Sequence, residues 1–153
     1  MDYSNNISTN IVRDESKQID YVVTPNTKEI FDRIFINNYG ANKSFILIGN
    51  YGTGKSTFLW ALEKNLNKEK IFFNNLNSNQ DSFVDYEFIK IIGENDSLLN
   101  VLSKELKLKG IIGNSEIIAA LEKRRIKASK SRKGVVLVID EFGKILEYAS
   151  KNK

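Results

Sequence analysis

Cysteine and histidine are both absent from the 153 residues, and proline, methionine and tryptophan each occur once. Without cysteine there is no disulfide framework and no thiolate metal site, and without histidine every mechanism that needs an imidazole is excluded. Any catalysis must run on carboxylates, lysine, arginine, hydroxyls or a bound cation. Long apolar runs are lacking too: none is longer than Val135 to Ile139, far short of a membrane span. The N-terminus, Met1-Asp2-Tyr3-Ser4-Asn5-Asn6, has neither the basic nor the apolar region of a secretory signal, so a cytoplasmic protein with no membrane partner is expected. What is present, 41% hydrophobic and 10% aromatic residues, suffices for one globular core and is too little for two ordinary domains. The net charge of +4 is compatible with nucleic acid contact, although a Lys- and Asn-rich composition raises the charge without any partner.

Residues 1–20 are polar and aperiodic and are expected to be loosely ordered; residues 21–153 carry the patterned part. Tyr21 to Thr24 leads in extended form into Pro25, and Asn26 and Glu29 have capping-box spacing for a helix striped by Ile30, Phe31, Ile34 and Phe35. Gly40 can end that helix, and its apolar stripe should pack on a sheet. Phe45-Ile46-Leu47-Ile48 reads as a buried strand, Thr57 to Lys64 as a helix, and Lys70-Ile71-Phe72-Phe73-Asn74 as a second strand. The Asn- and Ser-rich stretch 74–79 reads as loop. Phe88 to Gly93 is ambiguous between strand and helix end, and a structured connection is favoured over a core strand. Leu98, Leu99, Leu102 and Leu106 mark an amphipathic helix, and Ile117, Ile118 and Leu121 mark another that starts near Asn114 or Ser115. Strands alternating with helices imply a parallel sheet covered on both faces, an α/β three-layer sandwich.

One stretch specifies chemistry. Gly49-Asn50-Tyr51-Gly52-Thr53-Gly54-Lys55-Ser56 fits G-x-x-x-x-G-K-[ST], between an apolar run and a helix. A polyphosphate must be held by donors without being crowded, so glycines remove Cβ atoms where the backbone bends around the anion and the amides turn inward. The following helix presents unsatisfied N–H groups and the positive end of its dipole. Lys55 adds a point charge at the terminal phosphates, the Ser56 hydroxyl is suited to ligate Mg²⁺, and Thr57 continues the cradle. The bland alternative is a glycine-rich turn that caps a helix and binds nothing.

A second constellation follows the strand Val135-Val136-Leu137-Val138-Ile139, which delivers Asp140 and Glu141 at its C-terminal end. Ligands of open α/β sheets sit at that edge. Opposite a phosphate loop, Asp140 is suited to hold Mg²⁺ and Glu141 to act as the base for water attacking a γ-phosphate. Taken alone, the pair fits a core strand followed by a helix cap equally well. The basic run of Lys123, Arg124, Arg125, Lys127, Lys130, Arg132 and Lys133 could contact nucleic acid phosphates, but a solvated helix end complementing its own dipole is the favoured account.

Through these motifs the chain resembles the additional-strand class of P-loop ATPases, which includes the AAA+ proteins. Ile48 to Phe58 and Leu137 to Ala149 also resemble a group of prokaryotic ATP-binding proteins found within long multidomain chains. The resemblance spans Tyr21 to Ser150, with only the two motifs specific. It implies ATP and Mg²⁺ as ligands and ATP hydrolysis driving a conformational change. It further implies a polar sensor strand and a helical lid beyond the present C-terminus, so the chain is expected to be the N-terminal part of a larger ATPase, or to have its site completed by self-association or another chain. The alternative from a different class is a nucleotide-binding or interaction module without turnover. A GTPase is a third reading, since Asp140 to Gly143 fits D-x-x-G, but no N-K-x-D tetrad occurs and the Glu directly after the Asp is an ATPase habit. A small-molecule kinase would need an Arg-rich lid that the sequence does not show.

Overall fold

Among the described residues (19–35, 44–73, 83–110 and 112–152 of a computed structural model), five helices and two strands form. The polar residues 1–18, Gly40 and the Asn-rich stretch 74–79 lie outside them. The chain divides into two compact units, 1–82 and 83–153, and each is described by itself.

In the first unit, α1 (Pro25–Phe35) begins earlier than the Asn26/Glu29 spacing predicts. Its cap is a threonine pair: the Thr24 N–H donates to Thr27 Oγ1 at 2.9 Å and the Thr27 N–H donates to Thr24 Oγ1 at 3.2 Å. Pro25 then occupies the first helical position, where its missing N–H has no consequence and its fixed φ suits a helix. Glu29, freed from capping, pairs with Arg33 one turn on at 2.6 Å. The stripe of α1 packs on aromatic rings rather than a sheet. Phe31, fully buried, stacks on Phe73 with ring centroids 4.4 Å apart, and Phe58 meets the same ring edge-on at 5.9 Å. Phe58 belongs to α2 (Lys55–Leu66), whose Trp60, Ala61, Leu62 and Leu66 complete this core.

Among the described residues, neither strand expected in this unit forms. Residues 45–48 carry no strand pairing, and Ile46 and Ile48 are 79% and 94% exposed. Residues 71–73 are also unpaired by any ladder; instead Asn65 of α2 takes the N–H groups of Phe72 and Phe73 on one side-chain oxygen, both at 2.8 Å. A helix satisfies its backbone locally, whereas a strand exists only through a neighbour, and here a side chain supplies the acceptor that a neighbouring strand would have given.

The second unit holds the sheet. β1 (Asp85–Ile92) pairs in parallel with β2 (Lys133–Asp140), in a register that sets Ile89 against Leu137 and Ile91 against Ile139. The segment favoured as a connection is therefore a strand. Its period-two burial, Ile89 and Ile91 nearly inaccessible with Lys90 between them half-buried, is what a strand facing a core requires. Asp85 and Lys133 close the start of the ladder with an ion pair at 2.6 Å. A parallel pair needs a long crossover, and α3 (Leu98–Glu105) and α4 (Asn114–Ser129) provide it. The core gathers Ile91, Val101, Leu102, Leu106, Ile117 and Ile145, the last from α5 (Phe142–Lys151). Ser97 caps α3 by accepting from the Asn100 N–H at 3.1 Å, and Glu116 reaches back to the Gly113 N–H at 2.8 Å to start α4. The architecture is mixed α/β with a small parallel two-stranded sheet.

Candidate functional site

The loop 49–56 is shaped by its glycines. Gly52 and Gly54 adopt φ of 80° and 81°, a left-handed conformation that disfavours any residue with a Cβ, and space around both is open. Gly54 is the N-cap of α2, so Lys55 and Ser56 open the helix with its dipole end behind them. Thr53 forms the apex turn: its N–H and its hydroxyl both donate to the Asn50 carbonyl, at 3.4 and 2.8 Å. A Cβ at Gly49 would lie 3.0 Å from Thr53 Oγ1, so the entry to the loop closes tightly on its apex. The Lys55 ammonium spans the loop, donating to the carbonyls of Gly49 at 2.9 Å and Asn50 at 2.8 Å. Tyr51 is 88% exposed at the tip. All the loop residues expected to hold phosphate, Gly49 to Ser56 and Thr57, thus come together within the first unit.

Asp140 and Glu141 lie at the C-terminal end of β2 in the second unit. Asp140 is 9% exposed and its Oδ1 accepts from the Glu141 N–H at 2.9 Å. Glu141 is the N-cap of α5 with φ 57°, ψ 32°, a left-handed conformation uncommon for a residue with a side chain. Its carbonyl accepts the Lys144 N–H at 3.0 Å, and its carboxylate lies 3.3 Å from the Lys144 ammonium. Helix capping at this point thus falls to Glu141 rather than to Asp140. Sequence reasoning missed Gly93, directly after β1. Its N–H donates to the Asp140 carbonyl at 2.7 Å, and a Cβ there would meet the Glu141 carbonyl oxygen at 2.3 Å. The available signal was a glycine ending an apolar run.

A family model of the KAP family P-loop domain matches residues 23–150. The chain belongs to that family. It is therefore a P-loop NTPase domain of the additional-strand group, as the two motifs imply. No curated protein and no solved structure matches the chain significantly. The matched range of this KAP domain covers both the glycine loop and the Asp140–Glu141 turn.

Membership of the P-loop family implies that the KAP domain binds a nucleotide. The left-handed glycines leave the loop backbone open to an anion, and Ser56 and Asp140 are both oxygen donors of the kind Mg²⁺ takes. Among the described residues no three acidic side chains cluster. Among the same residues no helix is long and apolar enough to cross a membrane. The basic run 123–133 is partly neutralised: Arg125 pairs with Glu122, Lys133 with Asp85, and Arg124 lies 3.7 Å from Glu87. Lys123, Arg124 and Lys127 line a cavity of about 250 Å³ floored by Leu106, Leu108 and Ala120.

Proposed function

We propose that this KAP P-loop domain binds ATP with Mg²⁺ through residues 49–57, and that in the complete catalytic assembly it hydrolyses ATP to drive a conformational change, as AAA+-like ATPases do. The observation that carries the reading is the left-handed Gly54 capping α2 immediately before Lys55 and Ser56. It turns the first amides of the helix, which have no intrahelical acceptor, toward an incoming anion. Lys55 exchanges the Gly49 and Asn50 carbonyls for phosphate oxygens and neutralises their charge. Ser56 and Asp140 would hold the Mg²⁺, which would supply charge neutralisation to the phosphates. Glu141 accepts the proton of the attacking water. A three-layer sandwich belongs to the same reading. The parallel β1–β2 pair, with helices in its crossover, supports it.

The alternative of a nucleotide-binding module without turnover has one observation in its favour: the carboxylate of Glu141 is engaged by Lys144. A site completed by a second copy or another chain is part of the hydrolytic reading, because Arg33 is committed to Glu29 and Arg125 to Glu122. Titration with a fluorescent ATP analogue and Mg²⁺ tests the proposal. Lys55→Ala should weaken binding at least tenfold, about 1.4 kcal/mol. Binding by neither protein, with both folded, refutes it. Preferential competition by GTP would move the assignment to a GTPase, and binding without phosphate release would favour the module.

A further inference from the structure

We infer that Gly93 is a positioning residue for the Asp140–Glu141 turn, an inference that rests on the roles proposed above for those two carboxylates. The end of β1 and the end of β2 approach each other more closely than any residue with a side chain allows. A Cβ on residue 93 would lie 2.3 Å from the Glu141 carbonyl oxygen, 2.8 Å from its carbon and 3.2 Å from the Asp140 carbonyl oxygen. Real Cβ contacts do not fall below 3.0 Å, and every one of these atoms is backbone, so no side-chain rotation relieves the overlap. The backbone angle at Gly93 lies outside the left-handed range, so it is the contact and not the conformation that demands glycine.

The same backbone atoms fix the turn. The Asp140 carbonyl accepts the Gly93 N–H at 2.7 Å, the Glu141 carbonyl accepts the Lys144 N–H at 3.0 Å to start α5, and Asp140 Oδ1 accepts the Glu141 N–H at 2.9 Å. Glu141 is held in its left-handed conformation between the first and second of these bonds. Strained backbone of this kind persists only where its surroundings over-determine it, and Gly93 is one of those surroundings. An alanine there would push the Glu141 carbonyl back by at least about 0.7 Å, from 2.3 to the 3.0 Å limit, and would break the Gly93 bond or the start of α5. Both carboxylates hang from the displaced segment. Misplacement near 1 Å is enough to lose about a hundredfold in a reaction that depends on positioning.

The test uses the full chain and a fluorescent ATP analogue with and without Mg²⁺. Binding without Mg²⁺ reports the loop 49–57 and should differ by less than about twofold between wild type and Gly93→Ala, whereas the tightening that Mg²⁺ gives the wild type should fall about tenfold or vanish. With Mn²⁺ in place of Mg²⁺, the electron paramagnetic resonance line of the bound ion should change in Gly93→Ala and not in Gly143→Ala, whose added Cβ meets nothing within 4 Å. If Gly93→Ala does not fold by circular dichroism, trimethylamine oxide is added to both proteins until it does, and the Mg²⁺ effect should still be lost. A wild-type Mg²⁺ effect that survives Gly93→Ala under either condition overturns the role of Gly93 alone. No Mg²⁺ effect in the wild type, or one untouched by Asp140→Asn, overturns the metal reading and this inference with it.

Discussion

Asn65 holds the first unit together through an acceptor that only an amide in that place supplies. It lies at the end of α2, 4% exposed, and its Oδ1 takes the N–H groups of Phe72 and Phe73. Phe73 in turn presents the ring on which Phe31 of α1 stacks. Replacing Asn65 by leucine keeps the branched four-atom side chain, with somewhat bulkier methyls, and removes the acceptor. The Phe73 amide is buried, and leaving such a donor unsatisfied costs about 1–3 kcal/mol; the half-buried Phe72 amide recovers water at roughly 0.5–1 kcal/mol. A loss of about 2–4 kcal/mol is expected for Asn65→Leu, and Asn65→Ala should lose a similar amount, since its cavity term is offset in part by better helix propensity. Trp60, the only tryptophan, is 5% exposed with its ring 5.8 Å from that of Phe72, so its emission in a urea titration reports this unit. If the variant is already unfolded without urea, trimethylamine oxide restores a measurable transition. A shift in midpoint equivalent to less than about 1 kcal/mol at unchanged slope would refute the claim that Asn65 replaces a strand partner.

The other expectations concern helix ends of the second unit. Lys107 follows α3 at φ 55°, with its N–H bonded to the Lys104 carbonyl at 3.1 Å and the Leu108 N–H to the Ser103 carbonyl at 3.0 Å, the paired bonds of a Schellman cap that favours glycine. Lys107→Gly should stabilise the second unit by about 0.5–1 kcal/mol, read as a higher urea midpoint by circular dichroism, and a lower midpoint would contradict the cap. Glu116 has its carboxyl held below the ordinary 4.5 by its own backbone N–H, then by the Gly113 N–H and the Ser115 hydroxyl. A depressed folded value means that its contribution is complete above the ordinary value and is lost as pH falls through the folded one. Glu116→Gln should therefore lower the stability of the second unit near neutrality, leave it little changed in strong acid, and so flatten the acid limb of helix unfolding below about pH 4.5; an unchanged acid limb would show that the cap does not act.

How much of this was legible in the sequence depended on where each backbone found its partners. The first four helices were readable, because an apolar stripe such as Leu98, Leu102 and Leu106 needs no knowledge of the rest of the chain. β2 was readable as a continuous apolar run. β1 was misjudged because Phe88 and Ile92 carry apolar character onto the face opposite Ile89 and Ile91, which blurs the alternation that marks a half-buried strand. The runs 45–48 and 70–74 show the converse error: strand-like composition was read as strand, and pairing, which composition does not encode, was absent among the described residues. Asn65 was invisible for the same reason, since a lone polar residue on a helix acquires meaning only from what folds back onto it.

The two motifs differ in the same way, and the difference bears on which half of the reading is firmer. Gly49 to Ser56 is a local device: its left-handed glycines, its apex turn and its helix cap are all made by neighbours in sequence, so the pattern and the geometry carry the same information. Asp140 and Glu141 are not self-sufficient. Their turn is set by Gly93, which is remote in sequence and adjacent only because β1 and β2 pair in parallel, and by Lys144 from the helix that follows. A short pattern of apolar residues ending in Asp-Glu therefore specifies the residue types of a catalytic edge without specifying its geometry. The geometry comes from a glycine that holds no ligand, and it follows that a change at residue 93 should act on the metal-dependent part of nucleotide binding while sparing the loop that holds the phosphates.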